Sequence, residues 1–319
     1  MPRGGSGVSA SACAAAAEVA SAIHRRSIRR LPRAVTSPLP ASALVEPWQP
    51  YGQALLHQFW RRGGGGVLAG RGRRHTLPAC QEQPLMLWTD LAPSRPEHLD
   101  VQAFFRSPSE MPPLERRALR LCSLRGGRVL DVGAGAGSHC LALQTADYGI
   151  QGAEGADICS SAVEVMRGRG LVAHRWSLWD LRDLSRYTTV LLLMNSVGCV
   201  GSLAALRQFL LQLHGATGQD CHVLLDVSPP DWPALGARAA LRQRRSWEPP
   251  PPESIRREGW AMLRCQLTFG GLAGQEFPLL FLEPWAVRDA AFATGWLSAI
   301  VHDDTVRRNA LLRLWKVKR

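Results

Sequence analysis

Strands alternating with helices predict an α/β fold built on a doubly wound, mostly parallel sheet. Three observations carry that prediction. Val129 to Val132 is a short apolar run that leads into three glycines at alternate positions, Gly133, Gly135 and Gly137. Two longer apolar runs, Thr189 to Asn195 and Cys221 to Asp226, suit strands covered on both faces. Between them Leu203, Leu206, Leu210 and Leu213 fall on one side of a helix.

The elements follow in order along a chain of 319 residues, enough for one large domain or two small ones. Residues 1–45 are rich in Ala, Ser and Arg, and Glu18 is their only acid. With His24-Arg25-Arg26-Ser27-Ile28-Arg29-Arg30 at its centre and no apolar core, this stretch reads as a disordered organelle transit peptide, mitochondrial or plastid. The alternative is a disordered basic tail on a cytoplasmic protein. Residues 46–126 are expected to form a helical cover, interrupted by a Gly/Arg-rich insertion from Gly63 to Gly66 flanked by Arg61, Arg62, Arg71, Arg73 and Arg74. Residues 127–319 form the main domain. Within it residues 228–282 read as an insertion, because Pro249 to Pro252 cannot sit inside a helix. Trp232, Trp247 and Trp260 either line an apolar pocket or fasten that insertion to the core. Its end carries two strands, Trp260 to Phe269 and Phe277 to Leu282. Glu283 to Thr294 then reads as a helix stopped by Gly295. Trp296 to Val301 and Ala310 to Val317 read as two last strands, with Asp303 and Asp304 in their connection.

The glycine run decides the chemistry. Without a Cβ, such a turn lets the backbone approach a bound molecule closely. A dinucleotide loop needs glycine or alanine at the sixth position, counted from its first glycine. Here Ser138 stands sixth and glycine fifth. The pattern is instead hydrophobic-hydrophobic-Asp-hydrophobic-Gly-x-Gly-x-Gly. It resembles the first motif of the class I S-adenosylmethionine (SAM)-dependent methyltransferases, which have a Rossmann-like sheet. The resemblance spans residues 50–319 and is strongest from Gly127 to Asp226. In patches it is closer, at Pro50 to Leu56, at Phe105-Arg106-Ser107 with Glu110-Met111-Pro112, and at Leu192 to Asn195. Those patches look like bacterial methyltransferases of the small-molecule type.

The resemblance implies a set of roles. SAM would lie over Gly133, Ala134, Gly135 and Gly137, with Asp131 ordering the loop. An acid at the end of the second strand would accept hydrogen bonds from the ribose. Asp157 has the right spacing to the following helix, whereas Glu154 stands at the usual distance from Asp131; both remain candidates. Ser177 and Leu178 would stand beside the adenine. Ser177 replaces the acid often found there, with Asp180 as a substitute if the loop shifts. Asn195 and Asp226 would end strands on the cofactor side, although Asp226 reads equally well as a cap. The resemblance also implies that the final strand closes the sheet antiparallel. Departures from the family pattern are Ser177, Tyr187-Thr188 where an aromatic-Asp pair usually opens the fourth strand, and the extra residues near Glu154.

Charge and composition exclude other classes. The net charge is +12, but only two of the 38 basic residues, Lys316 and Lys318, are lysines, and residues 1–45, with six arginines and one acid, supply +5 of it. One Arg-Gly patch is weak evidence for RNA contact, so a nucleic-acid partner is not expected. No apolar run approaches the ~20 residues needed to span a membrane. The eight cysteines form no C-x-x-C pair, and no metal-ligand cluster stands out. They read as buried free thiols.

The expected function is methyl transfer from SAM to a small-molecule acceptor, by in-line attack on the sulfonium methyl. Positioning supplies most of the catalysis, and a general base is needed only if the acceptor loses a proton. His139, just behind the loop, is the candidate for such a base; His174 and His302 are weaker. Arg106 is a candidate partner for a carboxylate of cofactor or substrate. The alternatives are a SAM-binding protein that has lost turnover, an RNA or protein methyltransferase, and a hydride-transfer enzyme, which Ser138 disfavours.

Overall fold

The computed structural model describes residues 45–63, 84–231, 259–305 and 308–317. Residues 1–44 of the expected transit peptide, Gly64 to Gly66 with the arginines after them, the proline run, Trp232 and Trp247 lie outside the described residues.

The N-terminal segment supplies helix α1 (Gln49–Arg61), strands β1 (Met86–Thr89) and β2 (Glu97–His98), and helix α2 (Pro113–Arg125). Strand β3 (Val129–Val132) then opens the alternation. It is followed by α3 (Ser138–Leu143), β4 (Ala153–Asp157), α4 (Ser160–Gly168), β5 (Ala173–Arg175), β6 (Thr189–Leu192), α5 (Leu203–Ala216) and β7 (His222–Val227). Three strands of the insertion come next, β8 (Trp260–Phe269), β9 (Leu272–Ala273) and β10 (Phe277–Leu282). Helix α6 (Pro284–Phe292) and strands β11 (Trp296–Asp304) and β12 (Asn309–Lys316) end the domain.

The main sheet has seven strands in the order β11-β12-β7-β6-β3-β4-β5. Strands β3 to β7 are parallel, while β12 runs antiparallel to both β7 and β11. This is the expected doubly wound sheet with its antiparallel closing strand. Asp303 and Asp304 belong to β11 rather than to the turn after it.

The side-chain alternation of the central strands explains the two helical layers. On one face Val190, Leu192, Val223, Leu225, Leu312 and Leu314 join the cluster that contains Leu206, Phe209, Leu210 and Leu213 of α5 and Val287 of α6. On the other, Leu191, Leu224 and Leu311 meet Leu119 and Cys122 of α2 and Leu143 of α3. Successive residues of a strand point to opposite faces, so an unbroken apolar run is what a sheet covered on both sides requires.

The cover departs from a purely helical one. Strands β1 and β2 join β8, β9 and β10 in a second, antiparallel sheet of order β10-β8-β1-β2, with β9 paired to β8. Segment 46–126 and the insertion therefore share one sheet. Helix α1 lies between the two sheets' layers. Its Leu55 and Phe59 cluster with Ala162 and Val165 of α4 and with Ala136 of the glycine loop. Its Ala54 clusters with Leu263, Cys265 and Leu267 of β8.

Candidate cofactor site

In a parallel sheet, ligands sit beyond the carboxyl ends of the strands. The glycine loop leaves β3 at that end. Gly133 and Ala134 both donate their amides to Ala156 O, at 2.8 and 3.1 Å, which ties the loop to β4. Gly135 has φ +56°, and a Cβ there would lie 2.5 Å from Tyr51 Oη of α1. Only glycine suits both the left-handed backbone and that approach. The 3-10 turn Val101–Phe105 closes the other side, where Ser138 Oγ donates to Phe104 O at 2.6 Å.

The two competing acids are separated by the structure. Asp157 ends β4 and is buried; its Oδ2 accepts the Gly135 amide and its Oδ1 the Cys159 amide, both at 2.9 Å. Burial, opposed by those two amides, pushes its carboxyl up to about 6. Glu154 stands near the opposite end of the same strand. Its carboxylate is ion-paired with Arg128 and Arg186, and it accepts from His174 Nε2 and Tyr187 Oη, both at 2.8 Å. Its burial cost is outweighed by His174, Tyr187 and Arg128, which hold the carboxyl below its usual value. Glu154 is thus an anchor at the amino edge of the sheet, and the structure does not bring it to the loop.

Asp131 is also placed differently from expectation. The carboxylate that holds the loop amide is Asp157. Asp131 Oδ2 instead lies 3.2 Å from His139 Nδ1 on α3. His139 Nε2 lies 3.1 Å from Glu115 Oε2 of α2, and Glu115 Oε1 and Oε2 accept from Arg106 Nη2 at 2.7 and 2.8 Å. Burial would depress His139, but the two carboxylates outweigh it and push its pKa up to about 10. Both ring nitrogens of His139 are engaged by carboxylates, so neither is left free to take a proton from an acceptor. Sequence reading overlooked Glu115, which has no motif around it.

Ser177 and Leu178 lie past the end of β5, where Ser177 caps a 3-10 turn of Leu178–Asp180. Ser177 Oγ donates to Asp180 Oδ2 at 2.8 Å, so the hydroxyl and its expected substitute form one group. At the end of β6, Met194 and Asn195 both take left-handed conformations, φ 58° and 56°. Non-glycine residues adopt that region at a cost, and such strain clusters at ligand sites. Asp226 holds the turn in place by accepting the Asn195 amide at 2.8 Å, which is the capping role. Burial, partly offset by that amide, pushes Asp226 up to about 7. Asn195 Nδ2 reaches Leu280 O of β10 at 3.4 Å, joining the second sheet to the rim.

A narrow cleft opens among these elements, lined by Phe104, Arg106, Glu115, Gly133, Ala134 and Met194. Around it Asn195 Oδ1, Ser196 Oγ and Arg106 Nε are buried and have no hydrogen-bond partner among the described residues. Asp157 adds a carboxylate with acceptor positions beyond the two in use. Asp131, Asp157, Glu115 and Asp226 stand on this side of the sheet together with Arg106, His139 and Arg169, whose Nη1 donates to Ala136 O of the loop.

No family model and no curated protein matches the chain. Among solved structures, a SAM-dependent methyltransferase from Bacteroides fragilis, in complex with S-adenosyl-L-homocysteine, matches with a TM-score of 0.62 at 22% identity, covering 86% of this chain and 98% of that one. The chain has the fold of the SAM-dependent methyltransferases. Two further structures match over less of the chain. The CcbJ methyltransferase from Streptomyces caelestis has a TM-score of 0.46 and 17% identity over 67% of this chain and 93% of its own. CalS10, an amino pentose methyltransferase from Micromonospora echinaspora, has a TM-score of 0.42 and 18% identity over 69% and 98%.

Proposed function

We propose that the chain binds SAM in the glycine loop and transfers its methyl group to a small-molecule acceptor. One observation carries the reading: a glycine loop at the carboxyl end of β3 stands beside Asp157, a buried carboxylate held by two amides and ion-paired with no cation among the described residues. The pairing fits a ligand with a ribose diol and a positive charge. Asp157 would accept from the ribose hydroxyls, and Gly133, Ala134 and Gly135 would lie against the body of the cofactor. When bound, SAM supplies a methyl group already activated by its sulfonium.

The chain's own residues then have to position the acceptor and keep water out. Tyr51, Phe104 and Met194 border the loop and the cleft, and the second sheet reaches the rim through Leu280. A covered, narrow entrance supports a small acceptor over a duplex or a folded protein. With both ring nitrogens of His139 held by Asp131 and Glu115, the acceptor would attack without a histidine base. Asp226 is the acid nearest neutrality on this side of the sheet.

The test is calorimetric titration of the full chain with SAM, S-adenosylhomocysteine and NADH. Micromolar binding of the two adenosyl ligands with none of NADH is expected. Absence of both from a folded sample would sink the reading.

A further inference from the structure

The mechanism above leaves one buried group of charges unused: Arg106, Glu115, His139 and Asp131. They form an unbroken chain from the cleft to the strand beneath the glycine loop, Arg106 Nη2 to Glu115 at 2.7 Å, Glu115 to His139 Nε2 at 3.1 Å, and His139 Nδ1 to Asp131 at 3.2 Å. Glu115, His139 and Asp131 are all buried, with exposures of 6%, 7% and 1%. Interior salt bridges of this kind bring little stability over apolar packing. Their geometry must therefore be read for what it holds in place.

What it holds is Arg106. One nitrogen of the guanidinium, Nη2, is committed to Glu115, while Nε is buried and unpartnered among the described residues. Arg106 lines the cleft together with Gly133 and Ala134, the first two residues of the loop. A planar guanidinium with an unused N–H in a confined site matches a carboxylate. The charge on His139 matters here. With a neutral imidazole the group of four would carry a net negative charge and repel an incoming carboxylate; with an imidazolium it is balanced.

From this we infer that Arg106 is a receptor for the α-carboxylate of the molecule bound in the glycine loop, and that Glu115 and His139 are positioning residues that fix its orientation and balance its surroundings. The inference rests on the SAM reading, and it names which end of the cofactor points toward α2.

The experiment compares SAM with decarboxylated SAM, which lacks only the carboxylate, as ligands of the full chain. The wild type should prefer SAM by tenfold or more. Arg106→Met should lose at least tenfold in affinity for SAM while its affinity for decarboxylated SAM changes less than twofold. His139→Gln should reduce the preference at least threefold, a selectivity change that a merely structural role would not produce. If His139→Gln does not fold, Glu115→Gln, which keeps an acceptor for Arg106, is read in its place with the same expectation. Equal losses for both ligands in Arg106→Met, or none for either, would overturn the assignment. Failure of the wild type to bind either ligand would remove the SAM reading itself, and the two failures are therefore distinct.

Discussion

Replacing Asp157 with Asn separates binding from stability at one position. In the ligand-free fold the carboxyl is raised from 3.8 to about 6. A folded value above the unfolded one means that the native state holds the proton more tightly. The group therefore lowers stability as pH rises from about 4 to about 6, and the full cost persists at neutral pH. At 1.36 kcal/mol per pKa unit, that cost is about 3 kcal/mol, and Asn does not incur it. Asn also offers one acceptor oxygen to the two amides of Gly135 and Cys159. Leaving one buried amide unsatisfied costs about 1–3 kcal/mol. The two effects nearly cancel, so the urea midpoint at pH 7.5 should hardly move. Binding has no such compensation. Losing a hydrogen bond from ribose to a charged acceptor costs about 1.5–3 kcal/mol, roughly ten- to a hundredfold in Kd for S-adenosylhomocysteine. Calorimetry and urea unfolding on the same samples make the comparison. An unchanged Kd in a variant whose wild type binds would refute the ribose assignment.

The same assays check three further expectations. Glu154→Gln removes the negative charge and one of the two acceptor oxygens shared by Arg128, His174, Arg186 and Tyr187, so it should destabilise the fold by about 1–3 kcal/mol at pH 7 and leave the Kd for S-adenosylhomocysteine within twofold. Because the folded pKa of Glu154 is lowered, its contribution is present above about 4.5 and fades in acid, so wild type and variant should converge at low pH. Gly135→Val places a side chain on Tyr51 Oη in a left-handed backbone and should abolish cofactor binding in a protein that still folds; normal binding would remove the loop from the site. His139, raised from 6.5 to about 10, contributes fully below about 6.5 and loses its contribution as pH rises toward 10. The stability gap between wild type and His139→Gln should shrink across that window, and a constant gap would mean that the imidazole is not charged.

The main sheet was legible because its signals are local. Val129 to Val132, Thr189 to Leu192 and His222 to Val227 are apolar runs whose burial on both faces follows from pattern alone. The glycines announced the loop for the same reason. Strand β1 was not legible, since Met86 to Thr89 is four residues long and its partner, β8, lies far along the chain. Asp157 and Glu154 could not be ranked from spacing, because the decision depends on which end of β4 each one occupies. The roles of Asp131 and His139 depended on Glu115, an ordinary acid in the first turn of α2 that only tertiary packing brings to them.

The second sheet sets an order of events during synthesis. Trp88 Nε1 donates to Thr268 Oγ1 at 3.0 Å across 180 positions of sequence. At roughly 5–20 residues per second a ribosome needs about 10–40 s to make that span. Throughout that interval β1 can pair only with the two-residue strand β2, and Leu85 and Leu87 lack the partners from β8 and β10 with which they cluster in the finished protein. The strands that form the cofactor end of the sheet emerge before the cover can be completed. A nascent chain therefore carries the glycine loop and the carboxyl ends of β3 to β7 before β8 can complete the second sheet beside them.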